Sequence, residues 1–131
     1  MPSVLIEGYS EEELLELAPG DFDRFAFSED TMVLKIGSAE VLASLGVTNN
    51  VLHLELAQID GGGEGVLPCL VRFSRKLARK RSFEAVEWYV HAVTCANPNE
   101  KLRRLLILKG FRLRTFDATG EVYFYRDSIA P

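Results

Sequence analysis

The segment Asp60-Gly61-Gly62-Gly63-Glu64-Gly65 stands between an apolar strand-like run and a long basic amphipathic helix. A strand that ends in a Gly-rich turn and feeds a helix presents unpaired backbone N–H groups at the positive end of the helix dipole. Glycines there let a ligand approach the backbone, so the junction suits a phosphate or pyrophosphate. The alternative is a connector that holds no ligand. Other side chains with chemical potential lie on the flanking strands. His53 and His91 alternate on their strands and could meet across a sheet, but further metal ligands are wanting, so no metal site is assembled. Tyr89, Tyr123 and Tyr125 are either proton donors or sheet-packing aromatics with the hydroxyl at the edge. Cys69 and Cys95 have neither ligand-like spacing nor an activating base, and read as buried thiols of a reducing cytoplasm.

The elements that position these groups follow from periodicity and punctuation. Val4-Leu5-Ile6 opens as a strand, and Ser10-Glu11-Glu12-Glu13 is a capping box for a short helix that should stop at Pro19-Gly20. Residues 21–27 turn Phe22, Phe25 and Phe27 inward, as one more helical turn. Strands are predicted over 31–36, 40–47 (weakened at Gly46) and 51–59, with Leu52, Leu54 and Leu56 on one face. A helix over 67–80 carries Leu67, Leu70, Val71, Ser74, Leu77 and Ala78 on its apolar arc, with Pro68 in the first turn. Arg72, Arg75, Lys76, Arg79 and Lys80 line its opposite face. A buried strand over 85–94, a helix begun at Asn97-Pro98-Asn99 and ended by Gly110, and a hairpin around Ala118-Thr119-Gly120 complete the chain. The strand–helix–strand at 51–94 is a parallel, right-handed crossover.

At 131 residues the chain fits one domain, 1–131, with no repeat or low-complexity tract. No apolar run approaches a membrane span, and the first residues lack a secretory pattern, so neither membrane nor export is expected. The net charge of −4 divides unevenly: residues 1–66 hold 13 acidic and 2 basic side chains, residues 67–131 hold 6 and 13. The acidic total, and a basic helix without interleaved aromatics, argue against nucleic acid. The two signs either attract ligands of opposite charge or pair with each other.

The element order and three local patterns resemble the GCN5-related N-acetyltransferase (GNAT) superfamily. Asp60-Gly61-Gly62-Gly63-Glu64-Gly65 lies on its Arg/Gln-x-x-Gly-x-Gly/Ala acyl-CoA loop, and in a shifted register Gln58 to Gly63 fits fully. Arg79-Lys80-Arg81-Ser82-Phe83 resembles the family's Ala-Arg-x-x-Gly-Phe link. Asn99-Glu100-Lys101 to Lys109-Gly110-Phe111 resembles its Asn-started helix ending in Lys-Gly-Phe. The resemblance covers roughly residues 51–125, and the first 50 match in element order alone. It implies an α/β (α+β) fold with a mixed, mostly antiparallel sheet, helices on both faces, and a V-shaped splay between the strands at 51–59 and 85–94.

The implied function is N-acyl transfer from acetyl-CoA, or another acyl-CoA, to a primary amine by direct attack. Backbone N–H groups of Gly61, Gly62, Gly63, Gly65 and Val66 would hold the pyrophosphate, and Asn99 would contact the pantetheine. The oxyanion would meet the backbone of Leu56, Ala57 or Gln58, and Glu55 is the candidate base, its alternative being a solvated strand residue. Arg75 and Arg81 are candidates for the remaining phosphate. The departures are Asp60 and Glu64 beside the presumed phosphates, and Leu106 where the family carries a Tyr acid. They support an alternative, a non-catalytic GNAT-fold binding or assembly module. A homodimer through the C-terminal strand is left open by the resemblance.

Overall fold

A computed structural model of the chain describes residues 4–28, 30–60, 65–91 and 100–129, and side chains from residue 103 onward in the last segment. Among these residues eight strands form one sheet: β1 (Val4–Ile6), β2 (Tyr9–Ser10), β3 (Met32–Ile36), β4 (Ala39–Thr48), β5 (Val51–Asp60), β6 (Ala85–Val90), β7 (Arg112–Phe116) and β8 (Gly120–Ser128). The helices are α1 (Glu11–Leu15), α2 (Pro19–Ala26), α3 (Val66–Arg81) and α4 (Glu100–Leu108). The strand order is β2-β1-β3-β4-β5-β6-β8-β7. Among the described residues only β5 and β6 pair in parallel, because α3 carries the chain across between them.

Local chemistry sets the boundaries. Ser10 Oγ accepts from the Glu13 N–H at 3.1 Å and Glu13 returns a bond to the Ser10 N–H, so the capping box starts α1 as expected. Pro19, expected to stop that helix, instead occupies the first turn of α2, where its missing N–H costs nothing and its fixed φ fits. The β2 strand is two residues long, too short for any alternation, and was not foreseen. Helix α4 gives way to Gly110 at φ +98, beside the ring of Tyr125, a conformation and a clearance that only glycine meets cheaply.

The strand residues Leu34, Val41, Ala43, Leu45, Leu54, Leu56, Trp88 and Tyr123 are buried, and the strand register puts them all on one face of the sheet. Against it pack Leu67, Leu70, Phe73 and Leu77 of α3, Leu106 of α4, and Phe22 and Ala26 of α2. Phe73 and Cys69 join the buried arc, which is wider than the sequence period marks, and Val71 is half-buried at its margin. Helix α2 straddles the end of the sheet: Asp23 and Phe27 reach the rim of the opposite face. Among the described residues no helix is long and apolar enough to cross a membrane.

Candidate active site

The face of the sheet away from α3 carries the polar side chains. Register aligns Ser44, Glu55, Tyr89 and Phe124 in one row and Gly46, His53, Glu87 and Arg126 in the next. Glu55 Oε2 lies 2.6 Å from Nε2 of His91, whose side chain is 17% exposed against 38% for Glu55. This pair sits where the β5–β6 ladder ends. The His91 N–H donates to the Leu56 carbonyl at 2.9 Å, and β5 then runs on to Asp60 paired with β4 alone.

At the same point β5 bulges. Leu42 opposes Gln58 and Ala43 opposes Leu56, so Ala57 has no strand partner. The extra residue turns Ile59 onto the core face, opposite Val41. Leu56 has ladder partners on both sides, Ala43 and Val90, and Gln58 has one, Leu42. Of the three residues whose backbone the resemblance offers to an oxyanion, Ala57 is therefore the one that neither ladder claims, and it is exposed. A bulge beside an active site commonly re-aims a backbone group in this way.

Next along the face, the Tyr89 hydroxyl donates to Glu87 Oε1 at 3.1 Å and lies 3.3 Å from His53 Nδ1. Arg126 holds the other Glu87 oxygen at 2.8 Å. Burial, then the Glu87 carboxylate, push the Tyr89 phenol up to about 12, so it stays protonated. His53 and His91 thus have separate partners, Tyr89 with Glu87 and Glu55 respectively. Above this row opens a groove of about 720 Å³, lined on the sheet side by Ser44, His53, Glu55 and Tyr89.

On the other face, α3 begins at Gly65 with no side-chain cap and no acidic residue in its first turn. Its opening N–H groups, including that of Val66, therefore keep their attraction for an anion. A second pocket of about 450 Å³ runs along α3, with an apolar floor of Leu67, Val71 and Phe111 and cationic walls that include Arg72, Arg79 and Lys109. Arg75 also lines it, but its fork is bound to Asp127: Nε to Oδ2 at 2.7 Å and Nη2 to Oδ1 at 3.2 Å. The same carboxylate raises the Arg75 guanidinium above its ordinary value. Arg81 is likewise bidentate, to Asp23 at 2.7 and 3.1 Å, and lies over the rings of Phe22 and Phe83. Both candidates for a ligand phosphate are thus held by carboxylates across 52 and 58 residues of chain.

Gly61, Gly62, Gly63, Glu64, Cys95 and Asn99 lie outside the described residues. Asp60 is exposed and ends β5 opposite Glu40. Leu106 is fully buried and contributes packing alone. Cys69 is buried, and desolvation raises its thiol above the ordinary value, which disfavours the nucleophilic thiolate. Tyr123 accepts from Arg103 Nε at 3.2 Å, and Tyr125 stacks on Phe111, so both act in packing on the α3 side. Sequence reasoning missed the Glu55–His91 pair and the bulge. The bulge had a signal, since the apolar positions Leu54, Leu56 and Ile59 break the period of two. Ser82 takes the place of the family's glycine before Phe83 and adopts the left-handed conformation, φ +59, that glycine favours.

No protein-family model matches the chain, and no curated protein matches it. Solved structures do. The PaiA N-acetyltransferase of Thermoplasma acidophilum, in complex with coenzyme A, superposes with a TM-score of 0.50 at 13% identity, over 96% of this chain and 99% of that one. Naa50 of Arabidopsis thaliana, in complex with the bisubstrate analogue CoA-Ac-MVNAL, gives 0.48 at 15% identity over 97% and 99%. Ard1 from Thermoplasma volcanium gives 0.48 at 12% identity over 98% and 99%. At these identities the likeness is one of fold, and the PaiA superposition carries it.

Proposed function

We propose that this chain, which has the GCN5-related N-acetyltransferase fold, transfers an acyl group from acyl-CoA to a primary amine by direct attack, with acetyl-CoA as the leading donor. The observation that carries the reading is the coincidence of three features at one point. The β5–β6 ladder ends, Ala57 bulges free of both ladders, and the Glu55–His91 pair stands beside the break. The residues present fit the donor. Gly65 and Val66 open an uncapped helix, and Arg72, Arg79 and Lys109 wall a pocket with an apolar floor alongside it.

Bound acyl-CoA supplies an activated thioester carbonyl. Glu55, oriented by His91, takes a proton from the acceptor ammonium, directly or through water. The Ala57 N–H, with Leu56 and Gln58 flanking it, donates to the negative charge that develops on the acyl oxygen. Leu106 has no proton to return to the departing sulfur, so in this reading the proton that Glu55 accepts passes back from the Glu55–His91 pair. Gly61, Gly62, Gly63 and Asn99 complete the donor site in this reading. The buried thiol of Cys69 suits a reducing cytoplasm.

Thiol release from acetyl-CoA over a panel of primary amines tests the assignment, with Glu55→Gln expected to lower turnover roughly 100-fold or more. No turnover, together with no thermal stabilisation at millimolar acetyl-CoA, contradicts it. A second reading, a non-catalytic GNAT-fold binding or assembly module, has the buried Leu106 in its favour. Stabilisation by acetyl-CoA without turnover of any amine would select it.

A further inference from the structure

The groove above the Glu55 row has a consistent chemistry that the acyl-transfer reading leaves unused. Its carboxylates are Glu55 on the floor and Asp23 at the rim, its aromatic rings are Phe27, Tyr89 and Phe116, and among the described residues the His53 imidazole lines it but no Lys or Arg does. The cations nearby are engaged elsewhere. Arg81 faces Asp23 from α3, Arg126 is bound to Glu87, and Arg114 lies over Phe116 and Phe124. The Tyr89 hydroxyl donates to Glu87 and adds no positive charge. At about 720 Å³ the space is of small-molecule size.

From this lining we infer that the acceptor is a primary amine on an apolar, ring-sized body that bears no carboxylate or phosphate. The ammonium lies toward Glu55 and the body among Phe27, Tyr89 and Phe116. The inference rests on the transferase reading for its chemistry, but the binding it describes needs no acyl donor. Two effects produce the selectivity. Aromatic faces and carboxylates attract an ammonium with an apolar body. An anionic substituent meets the Glu55 carboxylate, while Asp23 is already paired with Arg81, and no Lys or Arg among the described lining residues receives it, so rejection comes from repulsion as well as from missing contacts.

Phenethylamine and phenylalanine share one frame and differ by a carboxylate, so they isolate the claim. The expected result is that phenethylamine alone moves the backbone amide resonances of Phe116, Ala118 and Thr119, and phenylalanine does not. With acetyl-CoA present, kcat/KM should favour phenethylamine by about 30-fold or more, the size of a like-charge interaction across about 8 Å near a protein surface. Thr119→Arg places a cation at the rim, clear of the core, and should shrink that ratio at least about fivefold. Equal use of the two compounds, a preference for phenylalanine, or the absence of amide shifts with phenethylamine each overturns the inference. Amide shifts without acetylation uphold the groove specificity and count against the transferase reading. Turnover without discrimination does the reverse.

Discussion

Replacing Arg75 with Gln separates two roles that its position alone leaves mixed. Arg75 lines the cationic pocket on α3, yet both arms of its fork are bonded to Asp127, whose side chain is 7% exposed while that of Arg75 is 43% exposed. Breaking a fully buried pair costs about 3–5 kcal/mol because a charge is stranded, whereas exposed pairs contribute about 0–1 kcal/mol. Here water reaches the guanidinium but scarcely the carboxylate, which puts Arg75→Gln at about 2–3 kcal/mol. For a chain of this length that corresponds to a fall in melting temperature of roughly 7–11 °C. Asp127→Asn removes the buried charge and keeps one of the two hydrogen bonds, since its amide nitrogen cannot accept from the guanidinium, and should cost about 1–2 kcal/mol. Arg75→Met with Asp127→Leu should recover to within about 1 kcal/mol of the parent.

Urea melts followed by circular dichroism measure these three costs, and titration calorimetry with acetyl-CoA measures the ligand side. The expected order is Arg75→Gln worst, the double replacement mildest, and donor affinity changed less than about threefold throughout. A cost below about 0.5 kcal/mol for Arg75→Gln, joined to a tenfold loss of donor affinity, would refute the reasoning, because the fork would then serve the ligand.

Three further outcomes follow from the site. His91→Gln keeps a hydrogen-bond donor toward Glu55 but removes a titratable group, so the melting temperature should hold while the pH dependence of kcat changes shape; an unchanged profile denies His91 a part in the chemistry. Deleting Ala57 aligns Gln58 with Leu42 and Ile59 with Val41 in a continuous register. Stability should be kept and turnover should fall about 100-fold or more; full activity in the deletion would dissociate the bulge from catalysis. Tyr89 holds its proton up to about 12, above the ordinary phenol value, so its share of stability is present below about pH 10 and is lost as pH rises from there toward 12. That share is about 1 kcal/mol after discounting for its partial exposure. Tyrosinate absorbance near pH 11 should show one more un-ionised phenol in the parent than in Tyr89→Phe, and equal numbers in the two would contradict the burial of Tyr89 beside Glu87.

The sequence carried the sheet because alternation and turn residues are local signals: Leu52, Leu54 and Leu56 gave the core face of β5, and Gly110 ended α4. Pro19 was misread because the same residue that stops one helix can open the next. The backbone that frames the candidate site was legible at the start of α3, where Gly65 and Pro68 mark the helix locally; the candidate site itself was not. It was illegible where it depends on pairing across the chain. Nothing near Arg75 or Arg81 names Asp127 or Asp23 as a partner, and only the parallel register brings His91 to Glu55. The bulge at Ala57 lies between these cases, since the parity change at Ile59 marks it but the function of the gap does not follow from parity.

Backbone amide resonances recorded as acetyl-CoA is added test the central claim most directly. The account predicts saturable shifts below millimolar ligand, largest at Ala57 beside the end of the β5–β6 ladder and at Gly65 and Val66 where α3 begins. Spectra that do not change at millimolar acetyl-CoA, or changes that spare Ala57 and the start of α3, would contradict it.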